Sequence, residues 1–408
     1  MATNGTARSA PPAITVAECQ ARVAAAQEAM AEERLDALLI TSEDNYRYLS
    51  GFDAPVWQNL TRPRYLVVPS TGAPILILPA GNTVIAERTT PWIGDVRTWV
   101  APNPLDDGVS LVVDALKACA GPSGRIGAEL GPESRLTMPV GDFLRIREGI
   151  APAEVGDGDA MLRRLRMVKS PAEVALMRYV CQLVSDAFEG LPGRLSVGDT
   201  ERVAAARFQT DVLAGGGEKI QYLICTSGRN GYPCINLGPT DHALERGDVL
   251  IIDTGVSYAG YYCDFDRDYS FGPPCDEVKR AYDAVWRATE AGIAAAQPGA
   301  TTTDVWRAQA EIIAEADGVP LTKEGFGAGR FGHGVGLRMC EPPSNSPDDE
   351  TVLTPNMTLT IEPGIPFTVP GPDGPERKIL VHEENMVVTE DGGDLLTRRA
   401  PREMPVID

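Results

Sequence analysis

GDVLIIDTG (247–255) and YAGYYCDFDRDYSFG (258–272) read as the two strands of a hairpin, and their acids decide how the chain is read. The apolar run VLII (249–252) leads straight into Asp253, and Asp264 follows 264 − 253 = 11 residues later, across the hairpin. A carboxylate set into an apolar strand is costly unless it is paired, hydrogen-bonded or bound to a metal. The pattern recurs downstream. Glu362 ends TLTI before a Pro-Gly pair, Glu383 follows ILVH, and His333 sits in the glycine-rich FGHGVGLRMCEPP (331–343). Each acid alone is more often a solvated or hydrogen-bonded turn residue than a ligand. Four carboxylates and one imidazole at strand ends, however, can converge on one cleft. Such an oxygen-rich set with a single nitrogen suits two divalent ions of the Mn, Fe, Co or Zn kind. A water held between two such ions would lose a proton near neutral pH and become a nucleophile.

Working outward, Ser170-Pro171-Ala172-Glu173 opens a helix: serine caps, proline takes the first helical position and glutamate closes a capping box. Val174, Met177, Cys181, Val184 and Phe188 then recur at three- and four-residue steps, which predicts one buried face. Arg163, Arg164, Arg166 and Lys169 form a basic stretch before it, so a domain boundary is expected near 160–170. Helices are expected over 276–296 and 303–317, and MTLTIEPGI (357–365) and KILVHEENMVVTEDG (378–392) read as strands. In the first half, Thr15-Val16-Ala17-Glu18 opens a helix to about residue 33. LDALLIT (35–41), YLVVP (65–69) and PILILP (74–79) follow as strands. The expected architecture is an α/β amino-terminal domain over 14–160 and an α+β carboxy-terminal domain over 165–408. MATNGTARSAPPA (1–13) has no apolar core and reads as a disordered tail, not a signal peptide.

Composition narrows the partners. A formal net charge of −20 argues against nucleic acid or an anionic membrane surface, both of which want a basic face. No apolar run is long enough to span a bilayer. Eight scattered cysteines without a CxxC pair fit reduced thiols, and so a cytoplasmic protein acting on a small molecule.

DTG (253–255), GYYCDFDRDYSFG (260–272), GHGVG (332–336), IEPG (361–364) and EENMVVTEDG (383–392) together resemble the creatinase/prolidase/aminopeptidase P/methionine aminopeptidase family, the pita-bread metalloenzymes. The likeness covers about 165–399, and the first half is compatible with the amino-terminal domain of the creatinase–prolidase branch. It implies two metal ions. Asp253 would chelate one, Asp264 and Glu383 would bridge both, and His333 and Glu362 would bind the other. It also implies a homodimer in which the amino-terminal domain reaches the neighbouring subunit's active site.

The chain departs from the family's peptidases at two histidines that position substrate and shuttle protons. The first position matches Asn236 or a neighbour, and none of Cys234, Ile235, Asn236 and Leu237 is histidine. At the second stands Cys340, just before Glu341. Glu341 is then the candidate acid or base, and Cys340 either a nucleophile or a small apolar filler. His242 reads as an exposed loop residue, and His382 as facing away from Glu383, because neighbouring strand side chains alternate.

The dimethylsulfoniopropionate lyases of this fold are similar in lacking both histidines. NYRYLSGFDAPVWQNLTRPRYLVV (45–68) is similar to theirs, with Trp57 and Arg62 as substrate-binding candidates. Trp57 would either wall a sulfonium or quaternary ammonium box or simply pack. Four readings follow from the resemblance. The preferred one is a hydrolase cutting a C–N bond in a small polar or zwitterionic molecule. The others are a C–S lyase, an Xaa-Pro dipeptidase or aminopeptidase, and a catalytically dead binding protein.

Overall fold

The computed structural model describes residues 9–55, 57, 61–317 and 329–408. The chain divides into two compact units, 14–166 and 167–408 with 1–13 assigned to the latter. Of the tail expected to be disordered, residues 1–8 lie outside the described residues, as do positions 56 and 58–60 around Trp57.

The amino-terminal unit carries β1 (Ala37–Ile40), β2 (Tyr65–Pro69), β3 (Ile75–Pro79), β4 (Asp95–Trp99), β5 (Arg125–Ala128) and β6 (Glu154–Asp157) in one sheet of order β4-β3-β2-β1-β5-β6. Helices α1 (Val16–Glu33), α2 (Glu43–Ser50), α3 (Thr83–Thr89), α4 (Val109–Ala120), α5 (Val140–Ile150) and α6 (Asp159–Met167) intervene. β1 is wholly buried because apolar runs without alternation suit a sheet covered on both faces. Leu39 pairs with Val67 on one side and Ala128 on the other, and packs in a core with Leu116, Phe143 and Ile146. Thr15 caps α1 as expected, its Oγ1 accepting from Glu18 N at 3.2 Å.

In the second unit, α7 (Pro171–Gly190) begins on the predicted capping box: Ser170 Oγ accepts from Glu173 N, and Glu173 Oε2 accepts from Ser170 N. Then come α8 (Glu201–Ala214), β7 (Lys219–Arg229), β8 (Asp248–Tyr258), β9 (Tyr261–Phe271), α9 (Asp276–Ala295) and α10 (Thr302–Asp317). The remaining strands are β10 (His333–Gly334), β11 (Glu341–Ser344), β12 (Thr358–Ile361), β13 (Gly364–Gly371), β14 (Gly374–Val381), β15 (Glu384–Thr389), β16 (Gly392–Leu395) and β17 (Val406–Ile407). One sheet has the order β17-β9-β8-β7, a second β11-β10-β12-β15-β16, and β13-β14 form a hairpin. Val249 and Ile251 of β8 join Val278, Tyr282 and Val285 of α9 and Trp306 of α10 in the main core.

Two sequence expectations need correcting. Asp253 and Asp264 do not end strands: each lies inside an eleven-residue strand of one hairpin. The ladder continues through them because backbone hydrogen bonds do not depend on the side chain, so long as the acids find company on one face. His382 and Glu383, conversely, lie not in a strand but in the two-residue link between β14 and β15. Among the described residues, no helix is long and apolar enough to cross a membrane.

Candidate metal centre

The β8–β9 register sets Asp253 opposite Asp266 and Gly255 opposite Asp264. Asp253 and Asp264 therefore share one face, two ladder steps apart. β7 adds Tyr222 beside Gly255, just after a bulge between Ile220 and Tyr222. Bulges of this kind re-aim side chains near functional sites. Gly255 leaves the room: a Cβ there would meet Tyr222 Cε1 at 2.7 Å and Met339 Sδ at 2.3 Å. The Tyr222 hydroxyl reaches Asp253 Oδ1 at 2.5 Å and also touches Asp264 Oδ1. Asp264 is further fixed by Asn385, whose Oδ1 accepts from Asp264 N at 2.9 Å and whose amide donates to Asp264 O.

His333 enters on β10. Its flanking glycines are required by close packing: a Cβ on Gly332 would lie 2.2 Å from Thr360 O, and one on Gly334 2.2 Å from Pro342 O. His333 Nδ1 lies 2.9 Å from Gly334 O. A carbonyl only accepts, so Nδ1 carries the hydrogen and Nε2 presents its lone pair. Nε2 stands 3.7 Å from Asp264 Oδ2 and 3.8 Å from Glu362 Oε1. Glu383 is buried, its N–H donates to Asp266 Oδ1 at 3.1 Å, and its Oε1 has no hydrogen-bond partner. One ligand atom each of Asp264, His333 and Glu383 lies within 4.8 Å of the others.

Electrostatics say what this cluster wants. Burial, then the neighbouring Glu362, pushes the Asp253 carboxyl up to about 7, against the Tyr222 hydrogen bond that lowers it. Asp264 is raised well above the carboxylate range by burial and by Asp253, and Glu383 by burial and by Asp264, Glu362 and Asp253. These acids face one another. A divalent cation offsets that repulsion and satisfies the unpartnered Glu383 oxygen, so the residues present fit a metal centre.

The structure thus brings together all five predicted ligands and adds residues that the sequence reading missed. Tyr222 was hidden by its bulge. Asp266 and Asp268 are buried, and Asp268 Oδ1 accepts from Tyr232 OH at 3.2 Å. Their signal was present: the acids of CDFDRD recur at every second residue, which puts Asp264, Asp266 and Asp268 on one strand face.

The other candidates are placed variously. Glu341 is buried and ion-paired to the equally buried Lys169, Nζ to Oε1 at 2.8 Å. Cys340 is exposed, so it is not an apolar filler; Arg330 Nη2 lies 3.3 Å from its Sγ, and Arg330 Nε lies 3.9 Å from Glu362 Oε1. Asn236 is exposed, its N–H donating to Cys234 Sγ at 3.4 Å. His242 is partly exposed against Asp248, as expected. His382 is buried against Tyr282 and Arg399, and burial and the arginines keep it neutral.

Trp57 is corrected. Its ring is 6% exposed, packs edge-on to Tyr46 and Phe52, and already has a cation over it, the Arg64 guanidinium at 4.9 Å. That is the packing reading, with the cation supplied by the chain itself. Arg62 donates to the carbonyl and hydroxyl of Thr61.

This fold and donor set define a metal-dependent hydrolase of the creatinase/prolidase/aminopeptidase P group. The chain belongs to metallopeptidase family M24, which matches residues 175–391, and the creatinase/prolidase N-terminal domain matches residues 22–168. It is 32% identical over 391 residues to a Mycobacterium tuberculosis protein named "Probable dipeptidase PepE", covering 95% of this chain and 96% of the relative. It is 29% identical over 276 residues to an Xaa-Pro dipeptidase of Pyrococcus horikoshii, covering 66% of this chain and 73% of the relative. The crystal structure of dipeptidase PepE from Mycobacterium ulcerans superposes with a TM-score of 0.80 at 30% identity, covering 96% of this chain and 98% of that one.

Proposed function

We propose that this enzyme is a two-metal hydrolase that cleaves the amide C–N bond of a small zwitterionic substrate of dipeptide size. The observation that carries the reading is the convergence of Asp253, Asp264, Glu362 and Glu383 around the Nε2 lone pair of His333, with the Asp253, Asp264 and Glu383 carboxyls raised by burial and by their acidic neighbours. These five would hold the ions, of the Mn, Fe, Co or Zn kind given the oxygen-rich set. Bound there, such ions supply Lewis-acid polarisation of a carbonyl and activation of water.

The chain's own residues do the rest. Tyr222 aligns the two aspartates, and Asn385 locks the backbone of Asp264. Gly334 O selects the His333 tautomer, the usual work of a partner behind a ligand. Glu341 takes the place left by the missing histidine as acceptor for the substrate's nitrogen, and Arg330, between Cys340 and Glu362, supplies a cation for an anionic substrate end. The relatives named as dipeptidases support a dipeptide over a betaine. Asn236 and Cys340 stay in this reading as residues of the substrate's surroundings, and the enzyme as a homodimer.

The test is a substrate panel of Xaa-Pro dipeptides, other dipeptides and betaines with Mn²⁺-loaded protein, following released amino acid and headspace dimethyl sulfide together. Amino acid released from dipeptides supports the reading. Dimethyl sulfide without amide hydrolysis would replace it with the lyase reading.

A further inference from the structure

The ion pair between Lys169 and Glu341 joins residues that the sequence reading treated separately, one as part of a domain boundary and one as a catalytic candidate. Both are buried, with side-chain exposures of 1% and 5%. Two groups taken out of water are costly, and apolar residues of similar size often stabilise a fold as well or better. Stability alone therefore does not account for the pair.

Its surroundings supply a reason. Lys169 N donates to Asn356 O at 2.9 Å, and Val168 bridges to Met357, so the lysine backbone is docked before α7 begins. Glu341 pairs with Gly334 across β10 and β11, next to the ligand His333. Between them lies Gly336, where a Cβ would meet Glu341 Oε1 at 2.3 Å and Lys169 Cε at 3.0 Å. The φ of Gly336 is not among the positive ones, so this glycine is demanded by the ion pair above it and not by its own backbone. Gly336 O in turn accepts from Tyr262 N at 2.8 Å, two residues before Asp264. The pair is thus tied to both the histidine turn and the strand that carries Asp264.

We propose that Lys169 is a positioning residue for the reaction: its ammonium holds the Glu341 carboxylate over Gly336, where Glu341 accepts a hydrogen bond from the substrate's nitrogen. The proposal rests on the amide-hydrolase reading above.

The test is a double-mutant cycle of Lys169→Met, Glu341→Gln and the pair, with Lys169→Arg as the conservative variant, measuring kcat, KM and metal per chain on the dipeptide panel. Lys169→Met is expected to lower kcat about tenfold or more, with KM and metal content little changed. Lys169→Arg is expected to recover part of the loss, and the double variant to be no worse than Glu341→Gln alone. Wild-type kcat in Lys169→Met, or additive losses in the double variant, would overturn the proposal. Should Lys169→Met not fold, Lys169→Arg with Glu341→Gln runs the same cycle, and additivity again overturns it. If the wild type turns over nothing in the panel, the amide-hydrolase reading fails by itself. A crystal structure of Lys169→Met then decides the positioning. Glu341 displaced from Gly336, with Asp264, His333 and Glu383 unmoved, supports it; Glu341 in place refutes it.

Discussion

Two sites, one in each unit, bury carboxylates in opposite ways. In the amino-terminal unit, Glu129 accepts from Thr41 N, Thr41 Oγ1, Ser42 N, Ser42 Oγ and Asn45 Nδ2, five donors for one acid. Burial and Asp44 raise its carboxyl, while these hydrogen bonds pull it down. In the second unit, Asp253, Asp264, Glu362 and Glu383 face one another, with the Tyr222 hydroxyl between two of them and one Glu383 oxygen left without a partner. An acid ringed by donors holds a fold together. Acids ringed by acids wait for a cation.

That contrast breaks most visibly at Asp264. Asp264→Ala should abolish dipeptide hydrolysis while leaving the thermal transition of the metal-free protein unchanged or raised, since it removes repulsion; steady-state kinetics and calorimetry check both. Retained turnover would show that the acids are only structural.

Glu129 should answer in reverse. Glu129→Ala strands five donors and is expected to cost about 3 kcal/mol of stability by urea unfolding, with unchanged activity per folded molecule. A loss of activity without a loss of stability would erase the distinction between the two sites.

Tyr222→Phe removes only the hydroxyl that aligns the aspartates. Metal affinity, by calorimetric titration, should fall roughly 10- to 100-fold, as for other partners that orient ligands. An unchanged affinity would leave Tyr222 as packing.

The smallest effect is in pH. The Asp253 carboxyl, raised to about 7 in the fold without metal from an ordinary value of 3.8, binds its proton more tightly folded than unfolded. The stability this contributes is full below the ordinary value and is lost as pH rises through about 7. Metal-free wild type should therefore lose melting temperature between pH 5 and pH 8 relative to metal-free Asp253→Asn, and Mn²⁺ should reverse the order at pH 8. Parallel curves for the two proteins would contradict the raised carboxyl.

Much of this was legible in the chain. The Ser170–Glu173 capping box, the β8–β9 hairpin and the five ligand candidates rest on short-range patterns: a cap at three residues, alternation at two, an acid at the end of an apolar run. What escaped was long-range. Lys169 finds Glu341 across 172 residues, and nothing local marks a lysine in a basic stretch as buried. Tyr222 is aimed by a bulge whose register only the folded ladder defines. Trp57 stayed open between two readings because an aromatic ring beside arginines looks the same in sequence whether the cation is a substrate or Arg64.

The central claim, that the acids of the second unit hold two cations, is tested most directly by counting them. Elemental analysis of protein refolded without metal, loaded with Mn²⁺ and freed of excess should give two ions per chain for the wild type. Asp253→Ala, if Asp253 serves one ion only as the proposal has it, should lower that count towards one, and Glu129→Ala should leave it at two. A wild type that holds no ion, or an Asp253→Ala, Asp264→Ala double variant that still holds two, would contradict the account.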